Sequence, residues 1–211
     1  MAYRLNLVQS SPRPFLIPFI FAQADPAYLC CQIKEMTDKQ RWVIDQNHSQ
    51  VQFKVKHLAV SNVAGHFNVF KGEVLSEPDS FNDAAVQCTI DVSSIDTNNG
   101  QRDNDLRSPH FLDAEKFPAM SFDGKLRGKN DDYELSGTLT IKDTTVPVTM
   151  AATFSGTGKG RFSDTRAGFE AQGKISRKDF GLAWNILTEA GGLIIGDEIK
   201  LSFDIQLILQ P

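Results

Sequence analysis

The feature that most constrains this chain is an alternation. Between Ser49 and Phe70, Val51, Phe53 and Val55 alternate with Gln50, Gln52, Lys54 and Lys56. A period of two marks a strand with one apolar and one wetted face. About seven further segments repeat it, and no long amphipathic helix is available to cover a sheet built from them. Such a sheet removes its apolar face from water most economically by closing on itself. The expectation is an all-β fold, an antiparallel closed β-barrel of about eight strands with one or two short helices.

Composition narrows the function. The 211 residues are 41% apolar with a net charge of −4, and Lys and Arg are scattered without a basic stripe, so no nucleic-acid partner is expected. Fifteen Phe stand against two Trp and three Tyr; Phe carries no polar handle and suits a dry interior. No stretch reaches the roughly 18 apolar residues of a membrane span. Of the three cysteines, Cys88 sits on the apolar side of a strand, while Cys30 and Cys31 are adjacent and poor partners for each other. An odd count without a framework points to a reducing compartment.

Residues 1–38 differ from the rest and are read as a disordered N-terminal extension, leaving 39–211 as one domain. Arg4 and Arg13 precede the apolar run 15–21, and Ala22-Gln23-Ala24 resembles a cleavage site, which would make residues 1–24 a secretory signal and the protein periplasmic. Pro12, Pro14 and Pro18 break any helix there. Translation from Met36, just before the first strand, would instead place the protein in the cytoplasm.

From Arg41 the strands follow in order. Trp42 to Ile44 is the first, and Gln50 to His57 the second. The third, Val63 to Leu75, changes its apolar parity between Val69 and Phe70, which predicts a bulge or bend. Glu77 to Ser80 and Asn130 to Asp132 carry turn chemistry. A short surface helix is expected over Gln101–Arg107. Residues 155–166, rich in Gly and Ser, read as a long flexible hairpin, and 176–196 as a long connection before the final strand.

Small residues share the inward parity: Gly124, Gly137, Gly173, Ala152 and Ala171. They either allow bends and close packing or leave a slot between bulky walls. Phe53, Val55 and Phe67 are candidate wall residues from the early strands. Phe122, Leu135, Leu139 and Met150 follow, then Phe154 and Phe169. His57 ends its strand on the inward side and is the candidate headgroup contact, with Trp184 and Leu187 as a candidate lid. Each CH₂ removed from water contributes about 0.8 kcal/mol, so about fifteen give roughly 12 kcal/mol against an association cost of roughly 4–15 kcal/mol. Useful affinity therefore needs a long tail or a good headgroup contact.

Five blocks then carry a family resemblance: 42–74, 90–122 (IDVSSIDTNNGQRDNDLRSPHFLDAEKFPAMSF), 135–148 (LSGTLTIKDTTVPV), 175–185 (ISRKDFGLAWN) and 196–207 (GDEIKLSFDIQL). In this order, over roughly Arg41 to Leu209, the chain resembles the YceI family. The resemblance implies a lipocalin-like barrel with an elongated apolar cavity for polyisoprenoids, prenyl quinones or fatty amides, in bacterial transport or storage. The family's polar block falls on Arg102, Asp103, Leu106, Arg107, Ser108, Phe111 and Asp113; many relatives carry His where this chain has Asp105.

The reading is a non-enzymatic module that sequesters or carries a long-chain amphiphilic lipid, with no cofactor beyond that polyisoprenoid-like ligand. The four histidines lack the spacing of common metal sites, so no metal is expected. Oligomeric state stays open, a homodimer included. One alternative is an enzyme acting on a prenyl or acyl substrate through the Arg102–His110 polar cluster, where the bland reading is an ion-paired helix closing one barrel end. The other is a filled barrel serving as a protein–protein module.

Overall fold

Each strand has one face that only an interior can remove from water, so register and closure are coupled. The computed structural model describes residues 39–184 and 195–211. The extension over 1–38, with Cys30 and Cys31, and the lid candidate Leu187 lie outside the described residues. The early strands are β1 (Gln40–Ile44), β2 (Gln50–His57), β3 (Ser61–Phe67), β4 (Phe70–Glu77), β5 (Ser80–Asp91) and the short β6 (Ile95–Asp96). Helix α1 (Gly100–Arg107) follows. Then come β7 (Ala119–Lys129), β8 (Asp132–Ile141), β9 (Thr144–Lys159), β10 (Thr165–Ser176) and β11 (Ile195–Leu209). The sheet runs β1-β4-β5-β7-β8-β9-β10-β11, and β1 pairs back onto β11, closing an antiparallel ring of eight strands. β2, β3 and β6 extend from β11. No helix among the described residues is long and apolar enough to cross a membrane.

The three additional strands are second halves of ring strands. β1 and β2 both lie along β11, β4 and β3 pair with them, and β5 and β6 pair with those in turn. The breaks fall side by side, at 45–49, at Asn68–Val69 and at 92–94, so a crease crosses three neighbouring strands. Polar side chains and main-chain groups hold it together. Gln46 Nε2 donates to the Asn68 carbonyl at 3.1 Å, and Asn68 N–H donates to the Ser94 carbonyl at 3.1 Å. Asp45 accepts from Asn47 N–H at 3.1 Å and pairs with Arg166 at 2.7 Å. Burial pushes the Asp45 carboxyl up, but its bonds to His48 and Arg166 outweigh that and hold it below the usual carboxylate range. The parity change at Val69–Phe70 is this crease.

The turns expected at Asp79 and Asn130 form, both residues taking left-handed φ of 58° and 60°. The segment 155–166 differs from its expectation. β9 continues to Lys159 and pairs with β10 up to Thr165, leaving only a short turn. Glycine hid the strand by removing side chains from the alternation: Gly156 sits opposite Gly168, next to a register shift.

Candidate functional site

One end of the barrel is closed by aromatic rings. Phe81 packs on Trp42, Phe154 and Phe169 with centroids 5.2, 5.5 and 4.9 Å apart, and Tyr133 meets Phe169 edge-on at 5.9 Å. The buried Trp42 indole N–H donates to Ser76 Oγ at 3.1 Å, so this polar atom of the plug is satisfied.

Above the plug the interior is not filled. An inner lobe of about 120 Å³ lies among Phe122, Leu126, Leu135, Met150, Phe169 and Ala171 and exposes no polar surface. An outer lobe of about 330 Å³ lies among Phe53, Val55, Phe67, Leu106, Met120 and Ile141. Five residues line both lobes, Val51, Ile90, Leu139, Leu201 and Phe203, so the two form one tube with a waist. The outer lobe alone reaches the range of small-ligand sites, about 300–1,000 Å³. Lys56, His57, Arg102, Asp105 and Trp184 also line it and form its polar rim. Cys88 lines the inner lobe, where burial pushes its thiol up to about 11 and keeps it protonated.

The candidate wall residues separate by level. Phe53, Val55 and Phe67 line the outer lobe, Phe122, Leu135, Met150 and Phe169 the inner one, and Leu139 the waist. Phe154 belongs to the plug, 5.1 Å from the Phe169 ring, not to the wall. His57 sits half-buried at the outer end, opposite Ile195 and Ser61 in the ladder. Trp184 stands at the rim, 40% exposed, edge-on to Phe111 at 4.8 Å. Sequence reasoning missed Val51, Ile90, Leu201 and Phe203; inward parity was readable for each, but the level at which each sits was not.

The small inward residues divide in the same way. Ala152 and Ala171 line the tube. Gly124 and Gly137 face each other across β7 and β8, and a Cβ on Gly137 would lie 2.3 Å from the Asp123 carbonyl oxygen and 2.5 Å from Gly124 Cα. Those glycines serve close backbone approach and open no slot. At Gly173 a Cβ would meet the Met150 side chain at 2.5 Å, so that notch is already occupied.

The Arg102–His110 cluster is a fastening. Asp103, 5% exposed, accepts from Thr97 N–H at 2.9 Å and Thr97 Oγ1 at 2.6 Å. Arg102 donates to the Thr97 hydroxyl and carbonyl, both at 2.8 Å, and Arg107 to the carbonyls of Ser93 and Ile95 at 2.8 and 2.6 Å. The expectation of an ion-paired helix is corrected: among the described residues no salt bridge involves Arg102, Asp103 or Arg107, because the Thr97 hydroxyl and main-chain groups in and beside β6 take their donors and acceptors. On the other side of the mouth, buried Arg177 binds the Trp184 and Gly196 carbonyls at 2.9 and 3.1 Å and the Asp197 carboxylate at 3.1 Å. The bond from Lys178 and the charge of Arg177 hold the Asp197 carboxyl below its ordinary value.

A closed antiparallel barrel, plugged at one end and carrying an apolar tube to a polar rim at the other, is lipocalin-like in architecture. Comparison with known proteins makes the class specific. The YceI-like domain model matches residues 42–207, and the chain belongs to that family. It is 35% identical over 164 residues to the protein YceI of Salmonella newport (strain SL254), covering 77% of this chain and 83% of the relative. The crystal structure of the Campylobacter jejuni YCEI protein is 31% identical, with a TM-score of 0.64 over 74% of this chain and 90% of that one. A polyisoprenoid binding domain from Saccharophagus degradans, 15% identical, shares the fold with a TM-score of 0.59, over 80% of this chain and 98% of the domain.

Proposed function

We propose that this protein binds one long-chain amphiphile, a polyisoprenoid, prenyl quinone or fatty amide, and sequesters or carries it without chemical change. The observation that carries the reading is the two-lobed tube, apolar from the plug to the rim. Its shape suits a tail lying lengthwise, and apolar burial supplies the free energy, about 0.8 kcal/mol per CH₂. The polar rim of Lys56, His57, Arg102 and Asp105 suits a headgroup left at the water boundary. Family membership supports the ligand class, and the Saccharophagus degradans neighbour of the same fold is a polyisoprenoid binding domain. Arg102, Asp103 and Arg107 are engaged with main chain, so these three side chains are committed to holding the helix and not to acid–base chemistry.

Organic extraction and mass spectrometry of the purified protein test the reading. An apolar chain at one per barrel is the expected result. A barrel that yields no apolar molecule from several expression hosts, and takes up neither a polyprenol nor a fatty amide when offered, would overturn it.

A further inference from the structure

The mouth of the tube ends in a hairpin that is wrong for water. His57 lines the rim, and the next three residues, Leu58, Ala59 and Val60, turn the chain into β3. Leu58 and Val60 are 43% and 81% exposed. Leu58 and Ala59 both have positive φ, 52° and 59°. Two successive left-handed residues are the geometry of a type I′ turn, which favours Asn-Gly. A branched apolar side chain there is strained and also faces water. Trp184, 40% exposed, stands on the same rim.

Along β2, β3 and the hairpin between them the charge is one-sided. The chain holds 26 Asp and Glu, yet none lies between Gln46 and Gly72, while Lys54 and Lys56 are exposed on β2, Lys56 at the rim. Lys54 stands opposite Lys200 on β11, and Lys200 opposite Lys174 on β10, so three lysines lie side by side across three strands. Like charges directly opposite are unfavourable within a sheet. Lys174 is relieved by Glu198 at 3.2 Å, but among the described residues no carboxylate pairs with Lys54, Lys56 or Lys200. This cationic wall belongs to a chain of net charge −4.

We infer that the mouth end is a docking surface for an anionic lipid bilayer, with the Leu58–Val60 tip seated in the interface and the lysines against the headgroups. Dimensions agree. Interfacial elements bury their apolar faces about 5–10 Å deep, and at about 3.3 Å per residue Lys56 follows Leu58 by roughly 7 Å, the level of the headgroups. Trp favours the same boundary. Docked this way, the opening of the tube faces the bilayer, and an oily tail can pass between them without crossing water. That use of the surface rests on the proposed lipid binding; the docking itself does not.

The test is co-flotation of the full chain with phosphatidylcholine vesicles, with and without phosphatidylglycerol. Binding to the anionic vesicles, weakened by salt, is expected. Replacing Lys54 and Lys56 by Gln should lower partitioning on the order of thirtyfold. The decisive variant joins Leu58→Asn with Ala59→Gly. It installs the preferred I′ turn, so thermal stability should rise while flotation is lost. Its lipid content by native mass spectrometry should match the parent chain. A parent chain that floats with neither vesicle, its tip free for a protein partner, would overturn the inference, as would an Asn-Gly variant that floats as well as the parent. Docking by a barrel that never contains lipid would leave the surface standing and remove the carrier reading.

Discussion

At the scale of single residues, the fixed points are polar groups with no water to fall back on. Thr97 is 4% exposed, and its N–H and hydroxyl both depend on the Asp103 carboxylate. Asp103→Ala strands both, so a loss of about 1–3 kcal/mol is expected, read as a fall in the melting temperature of roughly 2–4 °C per kcal/mol. Asp103→Asn keeps an acceptor and should lose less. Gly137 shows the same economy in steric form. An added methyl meets backbone on the facing strand at 2.3 Å, so Gly137→Ala should cost about 1–3 kcal/mol in a denaturant titration. Equal stability of Gly137→Ala and the parent chain would show that β7 and β8 can move apart there.

At the scale of elements, the crease lets one sheet serve two purposes. Below it, β1, β4 and β5 complete the closed ring over the aromatic plug. Above it, β2, β3 and β6 leave the mouth side to α1 and the turn at 177–180, and their polar fastenings replace the missing ladder. Asp45 holds the crease through Arg166 and His48. Its pKa in the fold is depressed, so its contribution is present above the unfolded carboxylate value of about 3.9 and is lost as pH falls through the lower folded value. Asp45→Asn should therefore melt below the parent chain at pH 7, and the gap should narrow as the pH drops under about 4. A constant gap across that range, in paired thermal melts, would assign the effect to packing instead of charge.

At the scale of the whole molecule, function rests on a volume that no single element encloses. Leu139, on β8, lies at the waist between the lobes. Leu139→Trp should keep the fold, shut the inner lobe and shorten the longest chain that native mass spectrometry finds bound; an unchanged ligand profile would mean that the tail does not reach past the waist. Much of this was legible in the chain alone. Inward parity marked Phe53, Phe122 and Met150, and the polar run Gln101–Arg107 was legible as a short surface helix, because alternation and its interruption are local and survive in linear order. Other features were not legible. Phe81, Phe154 and Phe169 come from β5, β9 and β10, and only closure makes them one plug. Gly124 and Gly137 could be read as close packing or as space and proved to be contact, because the distance between two strands belongs to neither. The order of residues thus determined which face of each strand is greasy and where the chain turns. Tertiary structure decided which levels of the interior are filled and which stay open, since an enclosed volume depends on the register and separation of strands far apart in the chain.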